Sequence, residues 1–290
     1  MDATAPGYAD YLTQADLRLL ARAVALPADA VTRLADDPAA IEALLADQRV
    51  FEAVFGVTDP GEMVLVSPFL AFGVAVHRAV ADLAAMDYLP ERSGLRQRIP
   101  VFDTPELRDF LGSAQRRLFL AQLLASFTRV ASGRYRTAGG RARTRRFSEL
   151  DPVRLAGLLD VVPEDSRPGV YRRLGDVSLF LAGVFPDYSA MHALGPVDIS
   201  RLLRFARVPM AERDDLAAAP ALDLLEYLGA RWYRAALATA PVRTAGLDVV
   251  GEVAERFRQA RRVLNHLADR YLVGGGAGGA ASWLPRPGTS

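Results

Sequence analysis

The sequence contains no cysteine and no lysine: all 35 basic residues among its 290 are arginines. Without cysteine the chain has no disulfide, no thiolate ligand for zinc or an iron–sulfur cluster, and no cysteine nucleophile. Without lysine it has no Schiff-base residue and no lysine of a Walker-type phosphate-binding loop. Any chemistry must therefore come from Asp, Glu, His, Arg, Tyr and Ser.

Histidine is also scarce, and its spacing is unlike that of helical metal sites. The three histidines, His77, His192 and His266, lie on separate segments and lack the nearby second histidine or glutamate of helical zinc and di-iron sites. No Gly-x-Ser-x-Gly nucleophile motif occurs. We therefore predict neither a metal nor another cofactor, and a binding or regulatory protein rather than an enzyme.

No apolar run is long enough to cross a membrane. The longest charge-free run extends from Met63 to Val76, whereas a bilayer needs about 20 residues. The first residues carry Asp2 where a signal peptide carries positive charge. The sequence thus predicts a cytoplasmic protein without a membrane partner.

Apolar residues make up 51% of the chain and recur with helical spacing, interrupted by proline and by Ser, Thr or Asp at capping positions. The predicted fold is mainly α: a multi-helix globular bundle with one small Arg-rich β-hairpin at about 133–147. Predicted helices begin at Thr13, Pro38 (continuing through Phe51), Ser67, Thr104, Ser113, Ser166, about Pro220 and about Gly246. The predicted regions are an acidic N-terminal helical region (1–60), central helices with the hairpin (61–150), a C-terminal helical region (151–272) and a disordered Gly/Pro-rich tail (273–290).

The last predicted helix, from about Gly246 to Tyr271, has one apolar seam. Its seam residues recur at steps of three, four or seven: Leu247, Val250, Ala254, Phe257, Leu264 and Tyr271. Such a seam packs on the chain's own core or forms a dimer contact, and Arg261 on the seam argues against a coiled coil. In the tail, Trp283-Leu284-Pro285 forms a candidate docking motif for a partner.

Charge is distributed unevenly along the chain. Residues 1–60 hold ten acids and four arginines, residues 61–109 seven acids and five arginines, and residues 149–290 seventeen of each. Residues 110–148 hold no acid and nine arginines: Arg116, Arg117, Arg129, Arg134, Arg136, Arg141, Arg143, Arg145 and Arg146. A block of one sign indicates an interaction surface.

The pattern of this block predicts its shape and its partner. Two Arg-rich segments flank Ala138-Gly139-Gly140, which fits a hairpin with a short Gly-containing loop. One face would carry Arg134, Arg136, Arg141, Arg143 and Arg145, whose guanidinium groups repel one another unless an anion lies among them. Guanidinium pairs bidentately with phosphate, so nucleic acid or another polyanion is the expected partner. The alternative is neutralisation by the acidic N-terminal region of the same chain.

The order of elements around the block is similar to a winged helix-turn-helix: a helix from Thr104 to Leu111, a longer one from Ser113 to about Val130, then the hairpin. In that motif the second helix reads the DNA major groove. Here apolar residues occupy most of its circumference: Leu118, Phe119, Leu120, Leu123, Leu124, Phe127 and Val130. We therefore expect a core helix from whose end the hairpin extends.

One carboxylate lies in a strongly apolar context. Asp176 precedes the apolar run Val177–Phe185, and burial of an unpaired ionised carboxylate is costly. Arg172, four residues earlier on the same helical face, is the expected partner. The alternative interpretation is a pocket formed by Asp176, His77, Tyr188 and His192.

Three hypotheses for function follow. The first is a non-enzymatic binding or regulatory protein whose basic hairpin docks on nucleic acid or another polyanion. The second is a protein–protein scaffold or self-associating helical adaptor. The third is a small-molecule enzyme or binder with an interhelical pocket around Asp176.

Overall fold

The computed structural model describes residues 6–27, 29–56, 66–92, 98–129, 131–136, 144–191, 194–272 and 284. Helices dominate these ranges, which confirms the mainly α prediction. They are α1 (Gln14–Ala23), α2 (Ala30–Leu34), α3 (Pro38–Ala46), α4 (Gln48–Phe55), α5 (Pro68–Ala84), α6 (Thr104–Gly112), α7 (Ala114–Ser126), α8 (Pro152–Ala156), α9 (Arg167–Val184), α10 (Pro186–Met191), α11 (Pro196–Phe205), α12 (Met210–Ala218), α13 (Ala221–Thr239), α14 (Ala245–Glu255) and α15 (Phe257–Leu267). None of these helices has the length and apolar character needed to span a membrane.

The described strands form two pairs. Strand β1 (Leu89–Arg92) pairs with β2 (Arg98–Val101), and β3 (Ser132–Arg136) pairs antiparallel with β4 (Thr144–Ser148). The β3–β4 pair is the predicted hairpin. The β1–β2 pair was not predicted, because each strand contains a proline, which interrupts the usual strand pattern.

Local capping interactions set several of the predicted helix starts. The Thr13 hydroxyl accepts from the Asp16 backbone N–H at 3.1 Å, and the Asp16 carboxylate accepts from the Thr13 backbone N–H at 2.8 Å, which forms a capping box. The Ser67 hydroxyl accepts from the Leu70 N–H at 3.1 Å at the start of α5. Asp16 also accepts from the Ser67 backbone N–H at 3.2 Å, so one buried carboxylate joins the starts of α1 and α5.

Two predicted helices are each interrupted by one residue. Asp47 adopts an extended conformation between α3 and α4, and its carboxylate caps α4 through the Arg49 N–H. Arg256 leaves helical geometry between α14 and α15. The prediction of continuous helices was therefore wrong at both points, because apolar periodicity persists across a one-residue break and does not reveal it.

The chain divides into two compact units. Unit 1 comprises Met1–Glu91, Pro100–Thr128 and His266–Arg286, and unit 2 comprises Arg92–Ile99, Arg129–Asn265 and Pro287–Ser290. Helices α6 and α7 belong to unit 1 and the hairpin belongs to unit 2, whereas a winged helix-turn-helix is one compact domain. The apolar residues of α7 are buried, as expected for a core helix. The four regions inferred from the sequence remain predictions.

Helix α5 forms the centre of unit 1. Its residues from Phe69 to His77 are all buried. Gly73 lies against Tyr8 and Leu45: a Cβ there would meet the Tyr8 ring at 3.5 Å and Leu45 at 3.6 Å, which are ordinary van der Waals distances. Near the C-terminal end of α5, the Asp82 carboxylate lies 3.2 Å from a ring nitrogen of His266 and accepts a hydrogen bond from Tyr271.

Helices α9 and α13 form the centre of unit 2 and pack closely through glycines. A Cβ on Gly175 would lie 2.4 Å from the Tyr233 ring, and a Cβ on Gly229 would lie 2.9 Å from the Cβ of Ser178. The Tyr233 hydroxyl donates to the Asp176 carboxylate at 2.8 Å, which joins the two helices. The glycines therefore let the helix backbones approach while the hydrogen bond fixes their alignment.

The apolar seam of the last helices packs on the chain's own core within unit 2. Val250, Phe257 and Leu264 are each at most 3% exposed. Arg261, also on the seam, is buried and donates from Nε to the Glu226 carboxylate at 3.0 Å. Most of the tail lies outside the described residues, and its one described residue, Leu284, is buried.

Replacing Gly175 by Ala tests the close packing of α9 on α13. The new Cβ would overlap the Tyr233 ring, so we expect a loss of about 1–3 kcal/mol in the free energy of unfolding. Gly169→Ala is the matched control on the same helix, because a Cβ there meets nothing within 4 Å. It should raise stability by about 0.5–1 kcal/mol. Urea denaturation measures both variants; a Gly175→Ala protein as stable as wild type would contradict the packing.

Candidate functional site

The division into units also separates the charges. Unit 1 contains 10 arginines and 18 acids, a net charge of −8, and unit 2 contains 25 arginines and 16 acids, a net charge of +9. The chain's formal charge of +1 therefore conceals two units of opposite sign. A basic unit of this kind is typical of proteins that bind polyanions.

The strand register of the hairpin places two arginines opposite each other. Arg134 on β3 lies directly opposite Arg146 on β4, and Arg136 lies on the same face. The prediction that Arg145 shares this face was wrong: residue 145 pairs with Tyr135, and alternation along the strand places both on the opposite face.

Two arginines of the predicted set, Arg141 and Arg143, lie outside the described residues. They remain part of the prediction. The structural evidence for clustered arginines in the hairpin is therefore the backbone register of β3 and β4.

The foot of the hairpin is fixed by one carboxylate. Glu149, the residue after β4, accepts from the Ala131 backbone N–H at 3.0 Å and from Arg173 at 3.1 Å. The Glu149 N–H in turn donates to the Ala131 carbonyl at 3.1 Å. Since Arg173 belongs to α9, these contacts attach the hairpin to the central helix of unit 2.

Two arginines of the predicted set have structural roles in unit 1. Arg116 donates to the carbonyls of Phe110 and Asp109 at 2.6 and 2.7 Å. Arg117 donates to the Leu111 carbonyl at 2.7 Å and forms a salt bridge with Glu42 at 2.5 Å. Glu42 lies in the acidic N-terminal region, so the alternative of internal neutralisation holds for Arg117.

Arg129 belongs to unit 2 and its side chain is exposed. Of the arginines of residues 110–148 that lie in unit 2, its side chain is the one that the structure describes. It lies three residues before the start of β3. Together with the hairpin arginines it forms the part of the block that belongs to unit 2. We refer to Arg129, Arg134, Arg136, Arg141, Arg143, Arg145 and Arg146 as the hairpin arginines.

Asp176 is buried in the core of unit 2 and has partners there. Tyr233 donates to one carboxylate oxygen, and Arg173 lies 4.0 Å from the other. Burial raises the pKa of Asp176, while Arg172, the Tyr233 hydrogen bond and Arg173 lower it in part. The expected electrostatic effect of Arg172 on Asp176 is thus present. Two further partners were not expected: Tyr233, which lies on α13, and Arg173, which follows Arg172 in α9.

The residues proposed to form a pocket with Asp176 lie in different places. His77 belongs to unit 1, where it is 6% exposed and its ring centroid lies 5.4 Å from that of Tyr8. Tyr188 belongs to unit 2 and lines a cleft whose lining does not include Asp176. His192 lies outside the described residues.

The cleft lined by Tyr188 opens beside the foot of the hairpin and has a volume of about 530 Å³. Ser148, the last residue of β4, forms part of its wall. Its polar side chains include Asp151, Arg154, Tyr188, Ser189, Asp198 and Arg201. Leu181 and Leu225 supply apolar surface. The volume of the cleft falls within the range of ligand sites in proteins.

A groove of about 500 Å³ shares Arg201 with the cleft. Its lining contains three arginines, Arg201, Arg204 and Arg213, and no acid among the described residues. Arg213 donates from Nε to the Val208 carbonyl at 3.0 Å, which fixes one edge of its guanidinium group. The groove therefore presents guanidinium groups on a helical framework.

Charge counting missed the arginines of the cleft and groove. They lie within residues 149–290, where arginines and acids are equal in number, so no excess marks them. The available signal was short-range: Arg201 and Arg204 are three residues apart and share one face of α11. Arg154 and Arg213 come from other helices, and only the tertiary fold places them in the two linings.

Comparison with protein-family models, with curated proteins and with solved structures finds no match for this chain. Among the described residues, no group of three or more histidine or acidic side chains is placed to hold a metal ion. A proposal for function therefore depends on the hairpin arginines, the cleft and the groove.

His77 provides a test of burial in unit 1. Burial, and to a lesser extent the positive charge of Arg117, lowers the pKa of His77 from 6.5 to about 3. The unfolded chain therefore takes up a proton below about pH 6.5 that the folded protein takes up only near pH 3. The folded protein is therefore favoured most above pH 6.5, where His77 is neutral in both states. This stability is lost as the pH falls towards 3, because the unfolded chain binds the proton first.

We expect the difference in the pKa of His77 between the folded and unfolded states to reduce the free energy of unfolding by up to about 1.4 kcal/mol per pH unit below pH 6.5. His77→Leu should therefore show a shallower decline between pH 6.5 and 5, measured by urea denaturation at a series of pH values. Equal slopes for the variant and the wild-type protein would show that His77 is accessible to protons in the folded state.

Proposed function

We propose that the protein binds nucleic acid through unit 2, with the hairpin arginines contacting the phosphate backbone. The net charge of +9 on unit 2, concentrated in a hairpin where Arg134 lies opposite Arg146, is the observation that carries this proposal. The proposed role is non-enzymatic, and the proposed location is the cytoplasm. Arg116 and Arg117 are left out of the interface because their hydrogen bonds hold unit 1 together.

The electrostatics of the hairpin favour a bound polyanion. Like charges directly opposite each other destabilise a strand pair, and an anion between them removes the repulsion. Glu149, the nearest acid along the chain after β4, already accepts from Arg173 and from the Ala131 N–H. A phosphate backbone supplies negative charges at regular spacing, which suits a row of guanidinium groups.

Binding to a fluorescein-labelled oligonucleotide across a salt series tests this function. We expect affinity to fall steeply with salt, with a log–log slope of about −0.9 for each phosphate contacted on duplex DNA. Replacing Arg141, Arg143, Arg145 and Arg146 by Ala should weaken binding and make the slope shallower by about 0.9 for each phosphate that the variant no longer neutralises. Fluorescence anisotropy gives both quantities.

A variant with exposed arginines removed from unit 1 is the control for charge alone. Arg33 and Arg49 are exposed and paired with Asp29 and Asp47, so Arg33→Ala/Arg49→Ala should retain the wild-type slope. The proposal fails if wild-type binding does not respond to salt, or if the fourfold hairpin variant binds as tightly as wild type.

A second candidate function is self-association through an aromatic patch on unit 1. Tyr88 and Phe102 are 50% and 72% exposed, and their ring centroids lie 5.8 Å apart. Exposed aromatic pairs are enriched at protein interfaces. This patch supports the adaptor hypothesis, whereas the burial of the last helices leaves little apolar surface on their seam.

Light scattering over a range of protein concentrations tests self-association. We expect the wild-type mass to exceed that of the 31.4 kDa chain and to return to it in Phe102→Ser, because a hydroxymethyl group replaces the exposed ring. Val242→Ser is the control, since Val242 is 67% exposed and lies on unit 2. A wild-type protein that stays monomeric at every concentration would exclude this candidate.

A further inference from the structure

We infer that the nucleic-acid ligand of unit 2 is a single strand whose bases enter the cleft at the foot of the hairpin while its backbone continues along the arginine groove. This inference rests on the proposed function and specifies the form of the nucleic acid. It assigns binding roles to Tyr188, Arg154, Arg201, Arg204 and Arg213.

The three surfaces are continuous. Ser148 ends β4 and lines the cleft, so the cleft begins where the hairpin ends. Arg201 lines both the cleft and the groove. A strand whose phosphates contact the hairpin can therefore pass the mouth of the cleft and reach the groove without leaving the surface of unit 2.

The acids in the cleft indicate which part of the ligand enters it. Asp151 and Asp198 would repel a phosphate, but their oxygens can accept hydrogen bonds from the amino groups of bases. Tyr188 contributes an aromatic side chain to the lining of the same cleft, and stacking on aromatic side chains is the common way in which proteins hold unstacked bases. The cleft chemistry thus fits a base, and the hairpin and groove chemistry fits the backbone.

The arginines of the cleft can exchange their partners for phosphate. Arg154 lies 3.0 Å from Asp151, and Arg201 lies 3.4 Å from Asp198. Both arginine side chains are more than half exposed, and exposed ion pairs of this kind contribute little stability. A phosphate at the mouth of the cleft can therefore take over a guanidinium group at small cost. At Asp151 this leaves Oδ2 available to a base, while Oδ1 continues to accept from the Val153 and Arg154 backbone N–H groups at the start of α8.

The groove suits the continuing backbone. Arg204 and Arg213 add two guanidinium groups from α11 and α12, and the described lining contains no acid to oppose a phosphate. Arginine binds phosphate bidentately, which fixes position as well as charge.

A duplex cannot make the same set of contacts. Its bases are stacked and paired, so entry of a base into the cleft would require unstacking and unpairing, which costs a few kcal/mol. A single strand presents its bases without that cost. The cleft therefore favours single-stranded over duplex nucleic acid, whereas the hairpin alone contacts phosphates of either form.

The experiment compares anisotropy titrations of one labelled single-stranded DNA of mixed sequence with the duplex of the same sequence. We expect Tyr188→Leu to weaken single-strand binding by about 5- to 150-fold, because one base loses its aromatic stacking partner. Tyr188→Phe, which keeps the ring, should restore it, and duplex binding should change little in either variant. Circular dichroism and thermal unfolding confirm that each variant folds.

Arginine variants test the path of the backbone. Arg204→Ala/Arg213→Ala should weaken single-strand binding and reduce the salt slope by about 0.7 for each phosphate that the variant no longer neutralises. Arg243→Ala is the matched control, because its side chain is 77% exposed on unit 2 and lies outside the linings of the cleft and the groove. It should bind the single strand within about twofold of wild type, since it removes one charge but no proposed phosphate partner.

The outcomes separate this inference from the proposed function. If the fourfold hairpin variant loses affinity while Tyr188→Leu and the groove variant bind the single strand as wild type does, the cleft path is wrong and the nucleic-acid function stands. Equal loss of single-strand and duplex binding in Tyr188→Leu also overturns the cleft assignment. If the wild-type protein binds neither DNA, both proposals fail.

Discussion

Repulsion among guanidinium groups is the constraint on which the functional argument depends. Unit 2 has 25 arginines and only 16 carboxylates, so its own acids cannot neutralise it. The hairpin register adds a local case of this imbalance by placing Arg134 opposite Arg146. Such an arrangement is least costly when an external anion completes it. In the proposed function nucleic acid supplies that anion as a chain, and the arginines that line the groove of unit 2 would contact it as well.

The absence of lysine makes arginine serve two purposes. Within the fold, its planar fork satisfies backbone carbonyls: Arg231 donates to the Ala206 carbonyl at 2.6 Å, and Arg116 and Arg117 do the same at the end of α6. Arg173 joins Glu149 to α9 and approaches Asp176. In unit 2, the contact between Arg173 and Glu149 attaches the foot of the hairpin to α9.

The sequence allowed prediction of features that depend on neighbouring residues. Thr13 and Ser67 cap helices through residues three positions away, and the Arg-rich segments at 132–136 and 144–148 pair as antiparallel strands. Neighbouring residues did not reveal three other features: the strand register, the helix breaks at Asp47 and Arg256, and the hydrogen bond from Tyr233 on a distant helix to Asp176. The cleft and groove were missed because their arginines come from different helices in a segment of balanced charge, and only the tertiary fold places them in shared linings.

Arginine-directed footprinting tests the central claim most directly. Phenylglyoxal modification, read by mass spectrometry with and without single-stranded DNA, reports which guanidinium groups the ligand covers. We expect protection of Arg134, Arg146 and Arg201 in unit 2 and unchanged modification of Arg33 and Arg243. Equal modification of all five in the presence of saturating DNA, or protection that includes Arg33, would contradict it.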